Sequence, residues 1–241
     1  MVAYEERTYR QWTQSDDLVS FELAIGETDL LISAERDLSR EAERSIRRHR
    51  QVLEEYIASD PGFLEALEPH PTKTDAPAIV QDMAEAANAV GVGPMAAVAG
   101  VVAEYVGRDL LEHSDQVIVE NGGDIFLATQ VARKIGIYAG GSPLTGHVKI
   151  EIDPVKTPLG VCTSSGTVGH SVSFGHADAA VVLAHRAALS DAAATALGNR
   201  IQSAEDIVNG LQWVQTITGI LGALIVVGQN MGAWGKVQLA Q

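Results

Sequence analysis

Of the 241 residues only one, Cys162, is a cysteine, so the chain can form no internal disulfide and no thiolate cage for zinc. Nor do the seven histidines fall at the spacing of a zinc site. Positive charge is scarce: 17 Lys and Arg stand against 31 Asp and Glu, a formal charge of −14. That balance argues against nucleic acid as a partner, because non-specific affinity for a phosphate backbone comes from Lys and Arg contacts. A phosphorylated ligand would have to be held by backbone amides or by a metal. Long apolar runs are missing too. The most apolar stretch, Ile217 to Gly228, contains three glycines and falls short of the roughly 20 residues that span a bilayer, so no membrane is expected. Met1 to Trp12 carries Glu5, Glu6, Arg7 and Arg10 with no apolar run behind them, so no secretory signal is expected and a reducing cytoplasm is the expected compartment.

What is present is a core. Hydrophobic residues make up 46% of the chain and charged residues 20%, the balance of a globular protein large enough for one domain or for two similar halves sharing a core. Alternation through Val19, Phe21, Leu23 and Ile25, a Gly26-Glu27 turn and the run Leu30 to Ser33 predict a hairpin. Ile46, Val52, Leu53 and Ile57 predict a helix over Ser39 to Ala58 with Ser39 as its cap, and its arginines alternate with glutamates as on a solvated face. After a proline-rich connection, Pro61 to Pro77, the alanine-rich segments Ala78 to Val90 and Met95 to Leu111 predict two helices, apolar on most sides and buried between sheet layers. Short strands are expected at Val117 to Val119, Ile125 to Ala128, Lys134 to Tyr138, Val148 to Ile152 and Ala179 to Ala184. A second helix pair follows, Ser190 to Asn199 capped by Ser190 and Ala204 to Ile217. Strands near Leu221 to Val227 and Lys236 to Leu239 close the chain, joined by a glycine-rich turn, Gly228 to Gly235. The expected class is α+β, with mostly antiparallel sheets and packed helix pairs.

Three segments carry chemistry. Glu120-Asn121-Gly122-Gly123-Asp124 is either a tight turn or a loop whose glycine amides meet a phosphate while Asn121 or Asp124 fixes the loop or a ligand hydroxyl. Thr163, Ser164, Ser165, Gly166 and the residues to His170 are so rich in hydroxyls and free amides that they form either an exposed loop or a ligand cradle. Ser164 or Ser165 with His170 has no assignable third group, which leaves serine hydrolysis unsupported. Asp191 and Thr195 stand four apart on one helix face, as hard oxygen ligands for Mg²⁺ or with Asp191 merely favouring the helix N-terminus.

In this order the segments resemble the ApbE superfamily of flavin-binding proteins, in its branch of uncharacterised ApbE-like members. Asn121 to Ile125 matches that family's NxGGDI loop, Thr163 to Gly166 its TSG loop, and Asp191 to Leu197 its DAxATAL helix. The resemblance implies an internally duplicated, T-fold-like architecture. It implies an FAD or related nucleotide site lined by Asn121, Gly122, Gly123, Asp124, Thr163, Ser164, Ser165 and Gly166, with Mg²⁺ on Asp191 and Thr195 beside the diphosphate. Any enzyme of this kind would be a flavin or nucleotide transferase or a diphosphate hydrolase. Transferases carry His-Ile-Ile-Asp-Pro-x-Thr-Gly after the TSG loop, whereas here Gly169 to His176 fills that place, and the lysine of the family's glycine-rich helix start has no counterpart near Ala97 to Gly100. Binding is therefore expected without flavin transfer, unless His170 or His176 replaces the missing histidine. The alternative is a non-flavin accessory protein of anaerobic sulfur assimilation reacting through Cys162, or a non-catalytic binding scaffold.

Overall fold

The computed structural model describes residues 10, 12, 13, 15–166 and 174–240. The chain opens with the expected hairpin, β1 (Val19–Ile25) and β2 (Thr28–Ala34), closed by Gly26 at φ +58°. Four helices follow: α1 (Ser39–Ser59), α2 (Pro61–Glu65) within the proline-rich connection, α3 (Ala78–Val90) and α4 (Val98–Leu110), the last preceded by a 3₁₀ turn at Pro94–Ala97. Next come β3 (Val117–Asn121), β4 (Asp124–Ala128), β5 (Arg133–Gly136), β6 (Lys149–Ile152), β7 (Leu159–Ser164) and β8 (Ala179–Ala184). Helices α5 (Ala187–Asn199) and α6 (Ile207–Val214) lead into β9 (Ile220–Val227), β10 (Asn230–Gly235) and β11 (Gln238–Ala240).

Eight strands form one antiparallel sheet in the order β1-β2-β3-β4-β7-β8-β9-β10, and β11-β6-β5 form a second. The large sheet traces strand, strand, helices, strand, strand twice over. The class is α+β, as expected. Period-two alternation splits the large sheet between two cores. Val117, Val119, Phe126, Cys162, Val182 and Ile225 face the helices, while Ile118, Leu127, Val161, Val181 and Leu224 face the small sheet.

Several expectations need correction. The alanine-rich helices lie on one face of the large sheet rather than between sheet layers; the small sheet covers the opposite face. Ser39 does not cap α1: its amide and hydroxyl both donate to Asp37, which stands outside the helix. Ser190 is not a cap either, because α5 begins three residues earlier and the Ser190 hydroxyl donates to the carbonyls of Val182 and Gly160. Thr163 and Ser164 belong to β7, paired with Val181 and Ala180, and Asn230 to Gly235 form β10 rather than a turn. Among the described residues no single helix is long and apolar enough to cross a membrane.

Candidate functional site

The β3–β4 turn, the end of β7 and the first half of α5 meet in one region. Gly122 and Gly123 sit at φ +66° and +102°, backbone conformations that side chains resist, and a Cβ on either would meet only open space. The turn is fastened on three sides. Glu120 Oε1 accepts the Gly123 amide at 2.7 Å, Asn121 Nδ2 donates to the Ala99 carbonyl at 3.1 Å, and Asp124 Oδ1 accepts the Thr163 amide at 3.2 Å. The Gly123 amide is thus turned inward, and it is the Gly122 side of the turn that is exposed.

Helix α5 lies so close to β7 that a Cβ on Gly160 would stand 2.4 Å from Ala187 Cα, and at the helix's other end one on Gly198 would touch Ser164 Oγ at 3.4 Å. Asp191 therefore lies alongside the middle of β7 and is buried, with Thr195, half-buried, one turn further on. Asp191 Oδ2 accepts the Gly100 amide at 2.8 Å and so caps α4, not its own helix. The favour is returned by Glu104 of α4, fully buried, whose Oε2 accepts the Ala188 amide of α5 at 3.3 Å and whose other oxygen pairs with Arg108. Each helix supplies a carboxylate to the first turn of the other, where the dipole favours negative charge.

Asp124 and Asp191 form the electrostatic centre of the region. Burial raises the Asp191 pKa to about 7, although the amides of Gly100 and Ala99 pull it down. Burial also raises Asp124 well above the carboxylate range, and the charge of Asp191 raises it further. Cys162, between them in β7, is fully buried with Sγ 3.5 Å from the Ala187 carbonyl. Burial pushes its pKa well above the usual thiol value, with the charges of Asp124 and Asp191 adding to the effect. The native protein is accordingly expected to resist iodoacetamide at pH 8 until denatured; rapid single alkylation of the folded chain would contradict this.

Of the other expected site residues, Ser164 is buried in β7, Ser165 is half-buried and Gly166 is exposed with its amide on the Ala177 carbonyl. His176 is exposed, and its amide donates to the Ile201 carbonyl beyond the end of α5. His170 lies outside the described residues. The sequence marks Gly100 only as a small residue that lets another backbone come close, as that of α5 does, and names Glu120 only as the first residue of its loop, with no role for its carboxylate. The one local signal was a charged residue closing an otherwise apolar strand, Val117 to Glu120. A cleft of about 310 Å³ lies elsewhere, between α1 and the end of α4, where Arg48 is already paired with Asp109 and Arg44 with Glu41.

The family model described as AbpE bacteria matches residues 10–213. A UPF0280 protein of Methanosarcina acetivorans is 42% identical over 216 residues, covering 88% of this chain and 85% of its own. One from Methanococcus aeolicus is 41% identical over 226 residues and 91% of each chain. Among solved structures, a mutant form of the flavin transferase ApbE from Vibrio cholerae aligns at TM-score 0.59 and 14% identity, covering 90% of this chain and 97% of that one. The apo flavinyl transferase ApbE of Pseudomonas stutzeri aligns at 0.55 and 12%, covering 90% and 94%. Shared sequence over most of its length and a shared fold place this chain in the AbpE bacteria family, with the architecture of the ApbE flavin transferases.

Proposed function

We propose that the protein binds FAD or a related nucleotide with Mg²⁺ where the β3–β4 turn, the end of β7 and the first half of α5 meet, and holds it without transferring the flavin. The observation that carries this reading is the pair of buried carboxylates, Asp124 and Asp191, beside a glycine turn that faces open space. Two like charges withdrawn from water are costly together, and a divalent cation would relieve both. No cluster of three acidic, histidine or cysteine ligands occurs among the described residues, which suits Mg²⁺ better than a metal held wholly by protein, since Mg²⁺ takes one or two carboxylates plus phosphates and waters. Asp191 and Thr195 would hold the ion, and when bound it would neutralise the diphosphate of a ligand that this acidic chain has few cations to meet. Asn121, Gly122, Gly123 and Asp124 would line the nucleotide on one side, and Thr163, Ser164, Ser165 and Gly166 on the other.

Retention without transfer follows from Gly169 to His176, which lacks the family's His-Ile-Ile-Asp-Pro-x-Thr-Gly stretch. The sulfur alternative draws no support from Cys162, a buried thiol held in its protonated form. Titration with FAD in Mg²⁺ and again in EDTA tests the binding: saturable, magnesium-dependent binding is expected, and its absence would discard the proposal. Incubation with FAD, Mg²⁺ and a peptide bearing a transferase target threonine should leave the peptide's intact mass unchanged. Covalent FMN on it would restore transfer and direct attention to His170 and His176.

A further inference from the structure

Arg10 is a buried arginine whose side chain, among the described residues, reaches Glu22, Asp29 and Glu120, 12, 19 and 110 positions away. Its side chain is 7% exposed, and Nε donates to Glu120 Oε2 at 2.7 Å. Nη2 donates to the carbonyl and Oδ1 of Asp29 at 2.8 and 3.1 Å, and Nη1 reaches Asp29 Oδ1 at 3.2 Å and Glu22 Oε1 at 3.4 Å. The two oxygens of Glu120 thus have different duties: Oε2 meets Arg10, while Oε1 accepts the Gly123 amide at 2.7 Å. Glu120 lies in β3, so its backbone is fixed by pairing with Leu31 of β2 and Ile125 of β4, and the rotation of its carboxylate is what remains to be set. A planar guanidinium gripping Asp29 on one side and Glu120 on the other restricts it.

We propose that Arg10 is a positioning residue: by orienting the Glu120 carboxylate it holds Gly123, and with it Asn121 and Asp124, in the conformation that receives the ligand. The relay rests on the flavin-site reading for its purpose, though not for its existence. With Arg10 removed, Glu120 loses a charged partner at 2.7 Å inside the protein and is drawn toward water, releasing the Gly123 amide from its positive-φ turn. Opposite charge at this distance in a buried setting makes the bond stronger than one between neutral groups.

The test compares full-length wild type with Arg10→Ala, Arg10→Lys, and a control, Arg50→Ala, which removes an arginine bonded to Thr28 and Glu27 of the other hairpin turn and not to Glu120. Amide hydrogen exchange is followed in the ligand-free proteins, and FAD affinity is measured in Mg²⁺. Arg10→Ala should speed exchange across residues 121–125 by about tenfold and weaken FAD by about the same factor, the effect of losing one charge-assisted hydrogen bond. Arg10→Lys should recover part of both, because it keeps the charge but not the fork. Arg50→Ala should leave both unchanged. If Arg10→Ala fails to fold, Arg10→Lys carries the comparison, with a smaller rise confined to the same residues. Unchanged exchange in the turn, or a rise spread evenly over the molecule, would overturn the relay. If wild type itself binds no FAD, the flavin reading falls and the exchange pattern still decides the role of Arg10.

Discussion

Asp191→Asn is expected to abolish the thermal stabilisation that FAD and Mg²⁺ give the wild type, while leaving the ligand-free protein as stable as wild type or more so. At about 100 times its dissociation constant a ligand stabilises the folded state by roughly 2.7 kcal/mol, which for a chain of this size raises the melting temperature by roughly 5–10 °C. Asparagine keeps an oxygen for the Gly100 amide but lacks the charge that would hold the ion. Alanine is the poorer probe. It would leave the capped amides of α4 without an acceptor, at a cost of about 1–3 kcal/mol, and so confuse loss of the cap with loss of the site. The pH dependence separates them further. Because the folded-state pKa of Asp191 is raised to about 7, the folded protein holds a proton between about pH 4 and 7 that the unfolded chain has released, so this group's contribution to stability falls as pH rises through that window and is flat above it. In EDTA, Asp191→Asn should therefore gain on wild type as pH rises from 5 to 8, by about 2–3 kcal/mol or roughly 5–10 °C at pH 8. An undiminished FAD shift in the variant would remove Asp191 from the site, and a variant that loses ground as pH rises would show the carboxylate to be better charged than neutral.

How far the residues alone reveal such a site depends on the range of the interactions that build it. Helices α1 and α3 were legible because each presents an apolar stripe at helical spacing and stops at a proline or glycine: Asp60 before Pro61, Gly91 at φ +76°. The turn at Gly122 and Gly123 and the placing of Asp191 and Thr195 on one helix were legible because their signals are local. Strand β7 was not fully so, since Thr163 and Ser164 look like loop until they are paired with Val181 and Ala180. Strand β10 contains two glycines in its six residues and is a strand only because β9 lies beside it. The same holds for the site's supports. Arg10 meets Glu120 across 110 positions and Asp191 meets Gly100 across 91, and no local period records such a contact. Even the cap assigned to Ser190 failed for a tertiary reason: its hydroxyl is used to tie α5 to β7 and β8.

The tightest of these long-range contacts leads to the second large effect, at Gly100. This residue lies in the first turn of α4, and a Cβ placed on it would stand 2.4 Å from the Ala187 carbonyl oxygen, 2.9 Å from its carbon and 2.7 Å from Asp191 Cβ. Two of these three atoms are backbone of a helix itself pressed against β7, so no side chain can turn aside to make room. Gly100→Ala should force the α4–α5 crossing open, stretching both the Asp191 bond to Gly100 and the Glu104 bond to Ala188. Overpacking of this kind costs about 1–3 kcal/mol and more where hydrogen bonds go with it, so a loss of roughly 2–4 kcal/mol is expected, or about 5–15 °C in melting temperature. Gly198→Ala on α5 is the matched control. Its Cβ would find Ser164 Oγ at 3.4 Å and Ala180 Cβ at 3.7 Å, ordinary contacts, and alanine's helix preference should make it neutral or stabilising by up to about 1 kcal/mol. The same substitution thus has opposite signs on the two helices, because at Gly100 a neighbouring backbone occupies the space and at Gly198 it does not. Displacing Asp191 should also cost Gly100→Ala the magnesium-dependent FAD shift, read at a temperature where the variant is still folded. A Gly100→Ala protein that melts with wild type would mean that the two helices leave room for a methyl group at this crossing, and that the capping exchange between Asp191 and Glu104 does not hold them.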